Sequence, residues 1–195
     1  WDTALSAGYP AFILANDDAH DIFKPGEIGN YATMIAAHSL APGEIIHSLK
    51  TGSAYGVRVL THDQSNGFIR RLPRLVSCLL KKDTLWVSFS DTAHEIRFIG
   101  QHGHILDIER NAAFAALPVA PEVTYIRVEA EFDNKAILYL NPVFRYKGGE
   151  LTLPRRATVD SGATFWRRTV SLLSLGLLIL VLFYAKRKFQ LNGKN

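Results

Sequence analysis

The sequence predicts an α/β body followed by one membrane-spanning helix, on three observations. Residues 11–15 are an apolar run that breaks, after Asn16, into Asp17-Asp18-Ala19-His20-Asp21, as a core strand does when it delivers polar side chains at its end. Farther on, Leu85, Val87 and Phe89 alternate with Trp86, Ser88 and Ser90, and Ile126, Val128, Ala130 and Phe132 alternate with Arg127, Glu129 and Glu131. This is the period of half-buried strands. Between Thr169 and Ala185 there is no charged residue.

Taken in chain order, residues 1–8 read as the end of a helix that Gly8 stops, with Tyr9-Pro10 leading into the strand. Lys24 to Asn30, with Pro25 and two glycines, makes a loop bordering the acidic cluster. Pro42 suits a first helical position. With Glu44 behind it and Ile45, Ile46 and Leu49 on one face, it opens a helix of about ten residues that ends at Gly52. Lys81-Lys82-Asp83 and Asp133-Asn134-Lys135 are polar connections of hairpin length. The strands they join read as a small antiparallel sandwich without an evident nucleophile or acid–base pair. Gly148 to Gly162, with Pro154 and two arginines, reads as a linker to the membrane.

Chemistry is expected in the acidic cluster. If the chain stays extended, Asp18 and His20 are two apart and point to one side, as two ligands of one cation must, while Asp17 faces the other way. Carboxylate plus imidazole suits Zn, Mn or Fe better than the all-oxygen shells of Ca or Mg. The same residues also suit an acidic turn that caps a following helix, because Asp is favoured in both places. His102-Gly103-His104 repeats a ligand spacing but reads as an exposed turn in a β pattern. His38, His47, His62 and His94 have no ligand-type neighbour at useful spacing and read as surface or helix-face residues. Cys78 lies in the apolar run Leu75 to Leu80 with no nearby base, so no Cys-His or Ser-His-Asp arrangement competes with the cluster.

Trp1-Asp2-Thr3-Ala4-Leu5-Ser6-Ala7-Gly8, the apolar run and Asp17-Asp18-Ala19-His20 together resemble the closing segment of the polymerase and histidinol phosphatase (PHP) metallohydrolase family. They look most like its carbaryl hydrolase-like branch. Leu49-Lys50-Thr51-Gly52-Ser53-Ala54-Tyr55 matches a later segment of that branch. Phe98 to Gly103, Tyr125 to Glu129 and Leu140 to Arg145 resemble its β-rich region, so the resemblance covers residues 1–146. It implies a distorted (β/α)7 barrel that binds up to three divalent metals and hydrolyses phosphate esters or related bonds, with Asp18 and His20 in ligand roles. It also implies that the other ligands, an opening His pair and a middle Glu and His, precede Trp1, and that the chain is a piece of a longer protein. The expected fold class is therefore α/β, with the C-terminal part of a PHP-type (β/α)7 barrel in residues 1–58 and a small antiparallel β-sandwich-like domain in 59–147. A linker at 148–168, a transmembrane helix at 169–185 and a basic tail at 186–195 follow.

The formal charge of +4 belongs to the C-terminal segment. Residues 155–195 hold eight Lys and Arg against Asp160 alone, and the rest of the chain is net −3. That balance suits anionic headgroups and argues against nucleic acid, for which the body also lacks a basic-aromatic stripe. The single cysteine excludes a disulfide within this sequence and decides nothing about compartment.

The uncharged stretch spans ~25 Å as a helix, near the lower limit for crossing a bilayer, with Trp166 and Tyr184 at its ends as interfacial aromatics. A buried core helix would show a polar face, and only Thr169, Ser171 and Ser174 offer one. Basic residues flank the stretch equally, so charge does not orient it. A body exported and then stopped, with the tail cytoplasmic, is the orientation expected; a tail-anchored protein facing the cytoplasm fits the same span. The function expected is a membrane-anchored, metal-dependent hydrolase that acts on a small-molecule substrate through metal-activated water. The alternative is a non-catalytic membrane-tethered binding module with a degenerate PHP barrel.

Overall fold

The computed structural model describes residues 1–21, 23–24, 27–59, 72–145 and 160–192. The chain forms two compact units, Trp1–Pro154 and Arg155–Asn195.

The first unit opens with helix α1 (Asp2–Ser6), which buries Leu5. The apolar run that follows is not a strand, because no neighbouring strand offers it a ladder. Side chains satisfy its backbone instead. The Ile13 amide donates to Asn141 Oδ1 at 2.7 Å, and the Ala15 amide donates to Thr33 Oγ1 at 2.8 Å. Thr33 Oγ1 in turn donates to the Ala15 carbonyl at 2.9 Å. Two glycines give the run its place. A Cβ at Gly56 would stand 3.2 Å from the Ala15 methyl, and one at Gly52 would stand 2.7 Å from the Phe12 ring.

Strand β1 (Tyr31–Ile35), helix α2 (Pro42–Thr51) and strand β2 (Ala54–Arg58) come next. Pro42 opens α2, and Gly52, at φ 76°, closes it in the left-handed conformation that only glycine takes without strain. Strands β3 (Leu75–Lys81), β4 (Thr84–Ile99), β5 (Ile105–Pro118), β6 (Tyr125–Glu131), β7 (Ile137–Leu140) and β8 (Val143–Phe144) complete the unit.

All eight strands belong to one antiparallel sheet with the path β1-β2-β7-β6-β4-β3, curved into a half-barrel. β4 is long enough to take β3 along its first half and β6 along its second, while β5 follows its other edge. The alternation seen in the sequence sets the faces. Leu85, Val87, Phe89, Ile126, Val128, Ala130 and Phe132 all point into the core with Ile96, Phe98, Leu138 and Leu140. Phe89 and Phe132 meet edge to face, with ring centroids 5.7 Å apart.

This architecture overturns the expected fold class of a (β/α)7 barrel followed by a separate sandwich. Among the described residues there is no parallel strand pair, and β1 pairs antiparallel with β2, Tyr31 opposite Arg58. No boundary divides the sheet at residue 58 either, since Tyr55 of β2 lies opposite Leu140 of β7. The physical reason lies in α2. A crossover helix of a barrel needs a broad apolar stripe against the sheet, whereas α2 buries only Ser48 and leaves Ile46 half exposed. Val57 of β2 belongs to the core cluster formed by the sheet itself.

The second unit is described from Asp160 onward, and helix α3 (Ser161–Asn192) fills it. Asp160 caps this helix, its Oδ1 accepting the Ala163 amide at 2.9 Å. The linker expected at 148–168 lies outside the described residues through position 159, and from Ser161 the chain is already helical. Ser161–Tyr184 is long and apolar enough to cross a membrane, at a mean hydropathy of 1.6. The hydroxyls of Thr169, Ser171 and Ser174 donate back to the carbonyls of Phe165, Arg167 and Val170, so they carry no unpaired donor into an apolar setting. Of the expected basic tail, positions 193–195 lie outside the described residues.

Candidate functional site

Asp18 and His20 lie together on the loop between the apolar run and β1, and both are exposed. The chain does not stay extended there. Asp18 takes a φ of 47°, its amide donating to Asn16 Oδ1 at 2.9 Å, so the simple alternation that placed both side chains on one side ends at this residue.

The other acids of the loop are engaged in building it. Asp17 reaches across the loop, its Oδ2 accepting the Gly29 amide at 2.7 Å and its Oδ1 accepting the Asn30 and Tyr31 amides, each at 2.8 Å. Burial pushes the Asp17 carboxyl up, but the three amide donors outweigh it and hold the group below the usual aspartate range. Glu27 Oε2 accepts the His20 and Asp21 amides at 3.2 and 2.9 Å, and its Oε1 receives Lys24 Nζ at 2.6 Å. Lys24 is the main reason the Glu27 carboxyl also sits low. Asp21 Oδ1 accepts the Phe23 amide at 2.9 Å. Asp18 and His20 are thus the acidic and imidazole side chains of this loop that have no partner among the described residues.

Carboxylate and imidazole fit a divalent cation of the Zn, Mn or Fe type, but two ligands do not complete a shell. Among the described residues no group of three or more His, Cys, Asp or Glu stands close enough to hold a metal. The other histidines are dispersed. His102 and His104 flank an exposed turn and meet ring to ring at 6.4 Å, His38 and His47 are exposed, and His94 faces Asp133 at 4.0 Å. His62 lies outside the described residues.

A groove of about 600 Å³ opens beside the apolar run, lined by Phe12, Tyr55, Leu75, Cys78, Asn141 and Phe144 among others. The thiol and the phenol that line it are not activated. Burial pushes the Cys78 thiol up to about 11 and raises the Tyr55 hydroxyl as well, so both stay protonated at neutral pH. Asn141 is the polar hub of this region, since besides receiving Ile13 it donates Nδ2 to the carbonyls of Ala54 at 2.8 Å and Gly52 at 3.2 Å. It ties the run that leads to Asp18 onto β2 and the end of α2.

Sequence reasoning missed Asp17, Glu27 and Asn141 as the residues that shape the site. Asp17 carried a signal, an aspartate just before a glycine-rich return to a strand. Asn141 carried none, because its partners are 87 and 128 positions away.

No protein-family model matches the chain, and no curated protein or solved structure is significantly similar to it.

Proposed function

We propose that this protein is a membrane-anchored, metal-dependent hydrolase of phosphate esters or a related bond, in which Asp18 and His20 bind a divalent cation. The observation that supports this reading is the division of labour in the loop. Asp17, Asp21 and Glu27 are consumed in holding its backbone, whereas Asp18 and His20 are exposed and have no partner among the described residues. Asp17 fixes the base of the loop and Glu27 fixes the backbone at His20, so the two ligands are presented on a braced segment. A divalent cation bound there supplies a water of lowered pKa and a Lewis acid for the leaving oxygen. Further ligands come from outside the described residues. Helix α3 supplies the anchor, with the body outside the cytoplasm and Lys186, Arg187 and Lys188 within it. The substrate is a small molecule with a hydrolysable ester.

The test is metal analysis of the intact protein alongside turnover of generic phosphoester substrates, with Asp18→Ala and His20→Ala compared to the wild type. Both variants are expected to lose metal and hydrolysis with an unchanged circular dichroism spectrum. Unchanged metal stoichiometry and turnover in both would sink the reading. Protease added to intact cells tests the orientation, and a body that is cut only after lysis reverses it.

A second reading, a non-catalytic membrane-tethered binding module, is favoured by one observation, the lack of a group of three ligands among the described residues. An intact protein that binds no metal and turns over no ester would favour it.

A further inference from the structure

Strands β3, β4 and β5 form a meander whose outer face is ruled by the register. Leu79 lies opposite Trp86 and Trp86 opposite Ala116, while the next row is Ser77, Ser88 and Phe114. The Ser77 and Ser88 hydroxyls meet at 2.7 Å, which fixes both rows on one side of the sheet. Cys78, Val87 and Ala115 point the other way, toward the core. On the outer side Leu79, Trp86 and Phe114 are 61 %, 44 % and 60 % exposed, so three large apolar side chains stand on three adjacent strands with little cover. Exposed apolar residues are ordinary when scattered, but a contiguous group marks a contact surface.

A positive rim adjoins this patch. Lys81 and Lys82 are both exposed at the tip of the β3–β4 hairpin. Lys82 and Asp83 take φ of 49° and 58°, as the two-residue turn of a tight hairpin requires. Asp83, the acid of the tip, is offset by Arg145, whose Nη2 donates to Asp83 Oδ1 at 3.1 Å. Among the described residues Lys81 and Lys82 have no acidic partner, and they line one shallow groove with Leu79 and Trp86.

We propose that this face is a second membrane contact: Leu79, Trp86 and Phe114 enter the headgroup region of the bilayer, and Lys81 and Lys82 meet anionic lipid. The inference rests on the reading that α3 anchors the chain, not on the side of the membrane that the body faces. Tryptophan and lysine are the side chains that settle at a bilayer interface, tryptophan with its ring at headgroup level and lysine on anionic phosphates. The tether favours a lipid surface over a soluble partner. Residues 146–159 reach at most ~50 Å even when fully extended, so the body of an anchored chain stays within range of the bilayer at high effective concentration.

The experiment uses the full chain reconstituted into phosphatidylcholine vesicles, with and without phosphatidylserine, each carrying a shallow spin-labelled lipid. Trp86 emission is read as the difference between the wild type and Trp86→Phe, because Trp1 and Trp166 also emit. Alkaline extraction of the same vesicles reports the anchor separately, so a failure of the hairpin is distinguishable from a failure of the anchor. The expected result is quenching of Trp86 by the lipid label in the phosphatidylserine vesicles, with the ratio of docked to undocked protein falling roughly fivefold for each lysine neutralised in Lys81→Gln and Lys82→Asn. Asparagine is chosen at position 82 because it tolerates a positive φ. Leu79→Ser, on the exposed face, should weaken quenching without altering the spectrum of the folded sheet. Trp86 that stays open to aqueous iodide and dark to the lipid label in extraction-resistant protein overturns the proposal. Protection of Trp86 that is equal in both lipids and rises with protein density overturns it in favour of a second copy.

Discussion

The Asp2 carboxylate grips the Arg127 guanidinium with both oxygens, Nε to Oδ1 at 2.7 Å and Nη2 to Oδ2 at 2.6 Å, and so pins the first helix to the sheet. Arg127 belongs to the outward row of β6, yet it is buried there because α1 covers it. Trp1 stacks over its guanidinium at 5.0 Å, Glu129 takes its other nitrogen, and the Tyr125 hydroxyl donates to Asp2 Oδ1 at 3.0 Å. Removing the acid leaves a buried cation with only one carboxylate. Asp2→Ala should cost about 3 kcal/mol in urea unfolding, and Arg127→Ala a similar amount. A loss below about 0.5 kcal/mol would mean that the pair is no better than a surface salt bridge.

Acid should loosen the loop around Asp17 before it unfolds the sheet. The folded carboxyl lies below its ordinary value because three amides bond its charged form, after overcoming the opposing effect of burial. A depressed carboxyl stabilises the fold fully above its unfolded pKa and loses that contribution as pH falls through the folded one. Hydrogen exchange at Gly29, Asn30 and Tyr31 should therefore be flat from neutrality to mildly acidic pH, once corrected for intrinsic rates, and lose protection below the usual aspartate range. Asp17→Ala should show the unprotected behaviour at every pH. Equal protection in the variant at neutral pH would remove Asp17 from this role.

Asn141 should tolerate neither Ala nor Asp. Alanine strands the Ile13 amide and two carbonyls, and aspartate keeps the acceptor but loses both donations. Each change should cost ~2 kcal/mol, with the larger effect local to residues 11–16, read as faster exchange at Ile13. An Asn141→Ala protein with unchanged exchange at Ile13 would show that the hub is dispensable.

Helix α3 should hold the protein in membranes against high salt and alkaline extraction. The apolar side chains of Ser161–Tyr184 are exposed within the chain, and burying them in lipid outweighs screened headgroup contacts. Deleting 161–192 should move the body to the soluble fraction. Salt-extractable full-length protein would contradict a spanning helix.

Much of the local structure was legible because it depends on neighbours in sequence. Pro42 and Gly52 bracket α2, and Leu85 to Phe89 and Ile126 to Phe132 alternate in step with their strands, with no help from distant residues. The arrangement of those elements was not legible. An apolar run before an acidic cluster looks like a strand whether its amides meet another backbone or, as here, Asn141 and Thr33. Likewise, a helix between two strands reads as a parallel crossover unless the thinness of its apolar stripe is weighed, and in α2 that stripe is thin. The Asp18 and His20 pair was visible by residue type, but the left-handed turn at Asp18 depends on Asn16 and Asp17 finding partners in the loop.

The bond from Asp17 to the amides 12 to 14 positions ahead works like a knot tied at the neck of a bag. What lies between is closed off at its base, and the strand that follows does not register its length. Lengthening such a closed segment twofold costs only ~0.6 kcal/mol of chain entropy. The segment around Asp18 and His20 can therefore change length while the sheet keeps its register. One carboxylate closes the base of the segment that carries Asp18 and His20, and a second, Glu27, braces it from within.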